Sequence, residues 1–167
     1  PFQGHKQSQF EGGIATPMIV HWPNGITVPA TFNRQRGHLV DIHATLRELA
    51  GIEYPEKYDP KTRQLSGQAL GPARGISLDP SFTGKSRAAH EYLYQNFNNG
   101  KTALVRGDWK LVNFNKLYNL KEDRIESQEL STSLPDQLEL MRSEFARLDF
   151  ELNQGRAMKK LEAGKKK

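Results

Sequence analysis

Lys6-Gln7-Ser8-Gln9-Phe10-Glu11-Gly12-Gly13 runs directly into Ile14-Ala15-Thr16-Pro17-Met18-Ile19-Val20-His21-Trp22-Pro23, and this stretch decides how the rest of the chain is read. A cation and a hydroxyl lead it; an aromatic ring, a carboxylate and two glycines follow. Met18 to Trp22 reads as a short, continuously apolar strand of the kind covered on both faces, closed by Pro23. Functional side chains often sit on loops held by a rigid strand. A glycine pair lets backbone approach a ligand or another segment closely. Taken singly, Lys6 is a solvated surface cation; the order of its neighbours is what marks it out.

A length of 167 residues fits one domain or a little more. A hydrophobic fraction of 36% allows a folded but modest core. The absence of cysteine excludes a disulfide framework and a thiolate metal site. No apolar run is long enough to span a membrane. The opening Pro1-Phe2-Gln3-Gly4 has none of the regions of a signal peptide, and a start without methionine so close to the motif reads as a fragment. The formal charge of +5 invites a nucleic-acid reading, but Arg156, Lys159, Lys160, Lys165, Lys166 and Lys167 against Glu162 account for all of it. The body is neutral, so the basic feature is a tail over 156–167, expected to be solvated and disordered.

Pro23-Asn24-Gly25 reads as a turn and 26–37 as an irregular connection. Leu39, Ile42, Leu46 and Leu49 recur at helical spacing, with Gly51 as the stop. Residues 53–89 are rich in Pro, Gly and charge and read as a long connection. Tyr92–Tyr94, Ala103–Val105, Trp109–Val112 and Lys116–Leu120 read as strands of a small antiparallel sheet, with Arg106-Gly107-Asp108 as a hairpin turn rather than an integrin-binding tripeptide. Leu138, Met141, Phe145, Leu148 and Leu152 mark a helix over 135–152, ended by Gly155, that packs on the sheet. Ser133 is placed to cap it, with Asp136 in the capping-box position. Thr83-Gly84-Lys85-Ser86 lacks the first glycine of a phosphate-binding loop, since Asp79 stands there. The five histidines show no zinc-ligand spacing; His21 and His43 read as structural, and His5 has a functional case only because it adjoins Lys6.

The pattern Lys-x-Ser-x-Phe-Glu-Gly-Gly-Ile-x-Thr-Pro, with the apolar run ending in Trp-Pro, resembles the sulfatases, in particular the bacterial arylsulfatases of the alkaline-phosphatase superfamily. There the lysine of an ungapped Lys-x-(Ser/Thr)-x-aromatic-Glu-Gly-Gly contacts the sulfate. Gly37-His38-Leu39-Val40-Asp41-Ile42-His43-Ala44-Thr45 through Ala50-Gly51 resembles the family's Gly-His-x-x-Asp-x-x-x-Thr helix, and Gly75-Ile76-Ser77-Leu78, with Gly84-Lys85 and Arg87, its Gly-x-Ser-Leu element. Arg106-Gly107-Asp108-Trp109-Lys110-Leu111, then Leu117-Tyr118-Asn119-Leu120 and Asp123, resembles the family's ending.

The resemblance implies the C-terminal portion of an alkaline-phosphatase-like α/β fold, ending in a small antiparallel sheet packed with a long helix. Residues 1–52 would finish the catalytic α/β domain, 53–89 would connect, 90–155 would form the C-terminal α+β subdomain, and 156–167 would be the tail. It implies a sulfuric ester hydrolase acting on an aryl sulfate or a sulfated carbohydrate, in the periplasm or secreted. By position in the motif Lys6 is the catalytic and substrate-binding residue, with His5 beside it; Glu11 would anchor the loop. The formylglycine nucleophile, the Asp and Asn ligands and the Ca2+ ion would belong to the missing upstream part, the chain's partner, leaving no metal site and no activity here. Tyr94-Gln95-Asn96-Phe97-Asn98-Asn99-Gly100 departs from the family's Glu-His-Glu-Gly-Asn segment, which leaves substrate choice open. Two alternatives stay open: a phosphate or phosphonate monoester hydrolase of the same superfamily, and a non-catalytic carbohydrate-binding or interaction module.

Overall fold

The computed structural model describes residues 1–153 except Thr31, Pro60, Pro72, Asn98 and Asn99. The expectations for Gly155 and the basic tail fall outside these residues. In chain order the elements are α1 (Glu11–Ile14), α2 (Leu39–Leu49), β1 (Lys57–Asp59), β2 (Gln64–Ala69), α3 (Asp79–Phe82), β3 (Leu93–Asn96), β4 (Thr102–Arg106), β5 (Trp109–Val112), β6 (Lys116–Asn119) and α4 (Pro135–Asn153). They form two compact units: Pro1–Met18 with the segment from Glu91 onward, and Ile19–His90.

In the first unit, period-two alternation builds an antiparallel meander in the order β3-β4-β5-β6. Leu104 pairs with Leu111, and Leu111 with Leu117, so three leucines line up across one face. Leu138, Met141, Phe145 and Leu148 of α4 cover that face. Phe145 is the centre of this core, with its ring centroid 5.4 Å from that of Tyr94 and 5.7 Å from that of Phe114. The opposite face carries Val105, Val112 and Tyr118, against which Phe10 and Leu93 pack. The hairpin β4–β5 turns through Gly107 at φ +57°, a left-handed conformation suited to glycine. Ser133 does not cap α4. Its hydroxyl donates to the Leu130 carbonyl at 3.2 Å, and Leu134, not Ser133, precedes the first helical residue.

The second unit turns on the buried carboxylate of Asp41. It accepts from His38 N at 2.8 Å, Ile76 N at 2.9 Å and Arg87 Nη1 at 3.1 Å, and lies 2.8 Å from His90 Nε2. One turn on, Thr45 Oγ1 donates to the Asp41 carbonyl and accepts from Leu78 N at 2.8 Å. The two motifs read separately in the sequence, at 37–51 and 75–87, therefore meet through Asp41, Thr45 and Arg87. Residues 53–89 also hold an antiparallel hairpin, β1–β2, and the short α3.

Two expectations about apolar residues fail. Met18 to Trp22 forms no strand: Ile19 is 93% exposed, and no described segment pairs with it. A strand is a paired structure, and without a neighbour an apolar run has nothing to hold it extended. Helix α2 forms as spaced, with Gly51 at φ +64° after it, but Leu39, Ile42, Leu46 and Leu49 all face solvent. The inward side of α2 is the polar one, Asp41 and Thr45.

Burial opposes the charge on Asp41, yet the Ile76, His90, His38 and Arg87 donors outweigh it and hold the carboxyl below its ordinary value of 3.8. Its contribution is therefore present above pH 3.8 and lost as the pH falls through the lowered folded value. Trp22 reports on this unit and Trp109 on the other. Asp41→Ala should cost the Trp22 unit about 3–5 kcal/mol, as for a broken buried ion pair. Acid-dependent urea unfolding followed at Trp22 checks this, and Trp109 should show little of the effect.

Candidate functional site

The Lys6 segment is a closed loop on the sheet face opposite α4. Ser8 N donates to His5 O at 2.8 Å, Gly12 N to Gln3 O at 2.8 Å and Gly13 N to Phe10 O at 2.8 Å. Four residues turn between His5 and Ser8, with Gln7 in the left-handed region at φ +69°. Both glycines are sterically required: a Cβ on Gly12 would collide with the Gln3 and Gly4 carbonyls, and one on Gly13 with those of His5 and Ser8. The sequence placed close backbone passage at this pair, and the passage is of the loop across itself.

The loop separates its residues sharply. Ser8, Gln9 and Glu11 are buried, whereas His5, Lys6 and Gln7 are exposed at the tip. Among the described residues no hydrogen bond or ion pair reaches the Lys6 ammonium. Its three donors are available to an oxyanion, which a compact, strongly hydrated cation suits. His5 contributes its carbonyl to the turn, and its ring is likewise exposed. The Lys101 ammonium lies 3.5 Å from Gln7 O and adds a second cation beside the tip.

Beneath the loop, β5 presents Lys110, whose side chain is fully buried. Its Nζ donates to Glu11 Oε1 at 2.7 Å and lies 2.7 Å from Glu126 Oε1. The Glu126 contact is a fully buried ion pair. The second Glu126 oxygen accepts from Glu11 N at 2.6 Å. Glu126 is itself held in a left-handed conformation at φ +59°. Phe10 meets Tyr118 edge-on with centroids 6.1 Å apart, and Lys116 Nζ lies 5.8 Å above its ring. Burial pushes the Tyr118 hydroxyl up to about 12, aided by Glu129, Glu126 and Asp123, so it is neutral at ordinary pH.

Sequence reasoning gave Glu11 an anchoring role without finding its partners. Lys110 carried one signal: alternation along Trp109-Lys110-Leu111-Val112 puts it in phase with Val112 on a buried face. Glu126 lies between elements and had no periodicity to reveal it. Among the described residues no group of three His, Asp or Glu side chains converges as a metal site.

No protein-family model matches the chain. It is 28% identical over 113 residues to an N-acetylgalactosamine-6-O-sulfatase of Bacteroides thetaiotaomicron, covering 66% of this chain and 19% of that protein. It is 31% identical over 70 residues to a sulfatase of Formosa agariphila, covering 42% of this chain and 12% of the relative. A pig (Sus scrofa) N-acetylgalactosamine-6-sulfatase is 37% identical over 73 residues, covering 44% and 13%. In three dimensions the chain resembles a solved Bacteroides thetaiotaomicron sulfatase, from work on the metabolism of multiple glycosaminoglycans, with a TM-score of 0.58 and 24% identity; the match covers 85% of this chain and 31% of that one. That likeness shows the fold.

Burial pushes the Glu126 carboxyl above its ordinary value of 4.5, and neighbouring Glu11 adds to the shift, while Lys110 and the Glu11 amide pull against it. A raised acid binds its proton more readily folded than unfolded. The first unit is therefore favoured below pH 4.5 and loses that contribution as pH rises through the raised folded value. Glu126→Gln should flatten this part of the profile in urea unfolding followed at Trp109. The chain spans about an eighth to a fifth of the length of these curated relatives, and it is a relative of the sulfatases by sequence and by fold.

Proposed function

We propose that this chain is the C-terminal part of a sulfatase of the arylsulfatase type, hydrolysing sulfate esters, and that Lys6 binds the sulfate. The observation that carries the reading is the Lys6 ammonium, exposed on a loop closed by its own backbone, within an ungapped sulfatase-like motif. The relatives named as N-acetylgalactosamine-6-sulfatases support a sulfated carbohydrate as substrate over a simple aryl sulfate. A periplasmic or secreted location goes with that substrate. No described helix is long and apolar enough to cross a membrane.

The formylglycine nucleophile and the calcium ion are proposed to be held by sulfatase sequence outside these 167 residues. The exposed apolar stripe Leu39, Ile42, Leu46 and Leu49, and the uncovered Met18 to Trp22, support further sulfatase sequence packing on this chain. What this chain supplies is charge. As the ester bond breaks, the sulfate oxygens gain negative charge, and an ammonium held beside them stabilises the transition state more than the ground state.

In the enzyme carrying this chain, Lys6→Ala should lower kcat on the order of 100-fold, as for loss of one electrostatic donor, with the melting temperature little changed. Lys6→Arg should restore activity only in part, because a planar guanidinium cannot occupy the same point. Steady-state kinetics on a 6-O-sulfated N-acetylgalactosamine beside a melting curve decides it. A kcat within about three-fold of wild type in a folded Lys6→Ala protein removes Lys6 from the site.

A further inference from the structure

We infer that Lys110 is a positioning residue for Lys6: clamped between Glu11 and Glu126, it fixes the Lys6 loop to the sheet and so aims the Lys6 ammonium. This rests on the reading of Lys6 as the sulfate-binding cation.

The placement of Lys110 is not what a core requires. On its strands it lies between Val105 and Tyr118, where an apolar side chain would pack without loss of hydration. Removing an ammonium and two carboxylates from water is costly, and well-packed apolar replacements of buried ion groups are often neutral or stabilising. What the ion cluster supplies, and an apolar trio cannot, is direction. Glu11 is held twice, through its side chain by Lys110 and through its amide by Glu126. The same Glu126 carboxylate faces Lys110, so backbone, side chain and strand are locked to one another.

From Glu11 the constraint passes to Lys6 through a short, stiff path. Gly12 and Gly13 are bonded back to Gln3 and Phe10, and Ser8 to His5. Neither glycine leaves room for a side chain, so the loop has little freedom to rearrange around a displaced Glu11. A shift of Glu11 is carried to the tip. Sub-ångström placement matters in a reacting site, where a displacement of about 1 Å can cost on the order of 100-fold in rate.

The test is a cycle in the enzyme carrying this chain, with Lys110→Met and the milder Glu11→Gln, each made alone and together with Lys6→Ala. Both should lower kcat, by roughly 10- to 100-fold for Lys110→Met, with KM changed less than kcat. Neither should lower kcat further once Lys6 is alanine, because both act through it. Wild-type kcat in a folded Lys110→Met or Glu11→Gln protein overturns the inference. So does an equal fractional loss in the Lys6→Ala background, which marks a general structural defect. Normal turnover of Lys6→Ala alone overturns the reading of Lys6, and that single variant tells the two failures apart. On the 167-residue chain, amide hydrogen exchange gives a readout independent of turnover. In Glu11→Gln and Lys110→Met the Ser8, Gly12 and Gly13 amides should lose protection while those of β4 and β5 keep it. Unchanged protection of those three amides overturns the clamp.

Discussion

An ammonium buried to exclusion of water stays charged only if the protein replaces its hydration with charge and hydrogen bonds. Lys110 does so with two carboxylates drawn from segments remote in sequence, Glu11 before the sheet and Glu126 after it. The first unit is organised around that requirement. One face of the meander is closed by α4 through leucine, methionine and phenylalanine contacts, which are forgiving of small shifts. The other carries the ion cluster of Lys110, Glu11 and Glu126 beside Val105, Val112 and Tyr118, on which Phe10 packs. The Lys6 loop lies on that second face, bonded to it through Glu11.

The second unit follows the same logic with the charges reversed. There a buried carboxylate, Asp41, gathers backbone amides, a guanidinium and an imidazole, and joins the start of α2 to the 76–78 segment and to Arg87. Its apolar helix face looks outward. Both units bury an ion cluster, and in the first it lies beside an apolar core.

Much of the first unit was legible in the sequence. Spacings of three and four from Leu138 to Leu152 fixed α4 to within a residue, and the aromatic and β-branched runs located the four strands within one or two. The Arg106-Gly107-Asp108 turn and the close passage at Gly12 and Gly13 followed from backbone sterics. What failed was inference of burial from hydrophobicity. Met18 to Trp22 and the leucines of α2 are apolar without being covered, because periodicity reports which residues share a face, not what lies against it. The clamp was missed for the converse reason. A lysine on a strand and a glutamate between elements are read as solvated, and only three-dimensional convergence of Lys110, Glu11 and Glu126 shows otherwise. Ser133 fitted a cap by residue type, but the helix begins at Pro135, which puts Leu134 at the cap position and Ser133 one residue too early.

The central claim is that this chain presents Lys6, on a clamped loop, to a sulfate. Its most direct test is a crystal structure of the enzyme carrying the chain, grown with inorganic sulfate or a slowly turned-over sulfate ester. The account predicts Lys6 Nζ about 2.7–2.9 Å from a sulfate oxygen, with Lys110 still between Glu11 and Glu126. A sulfate bound in the catalytic pocket with the Lys6 side chain directed to solvent would contradict it.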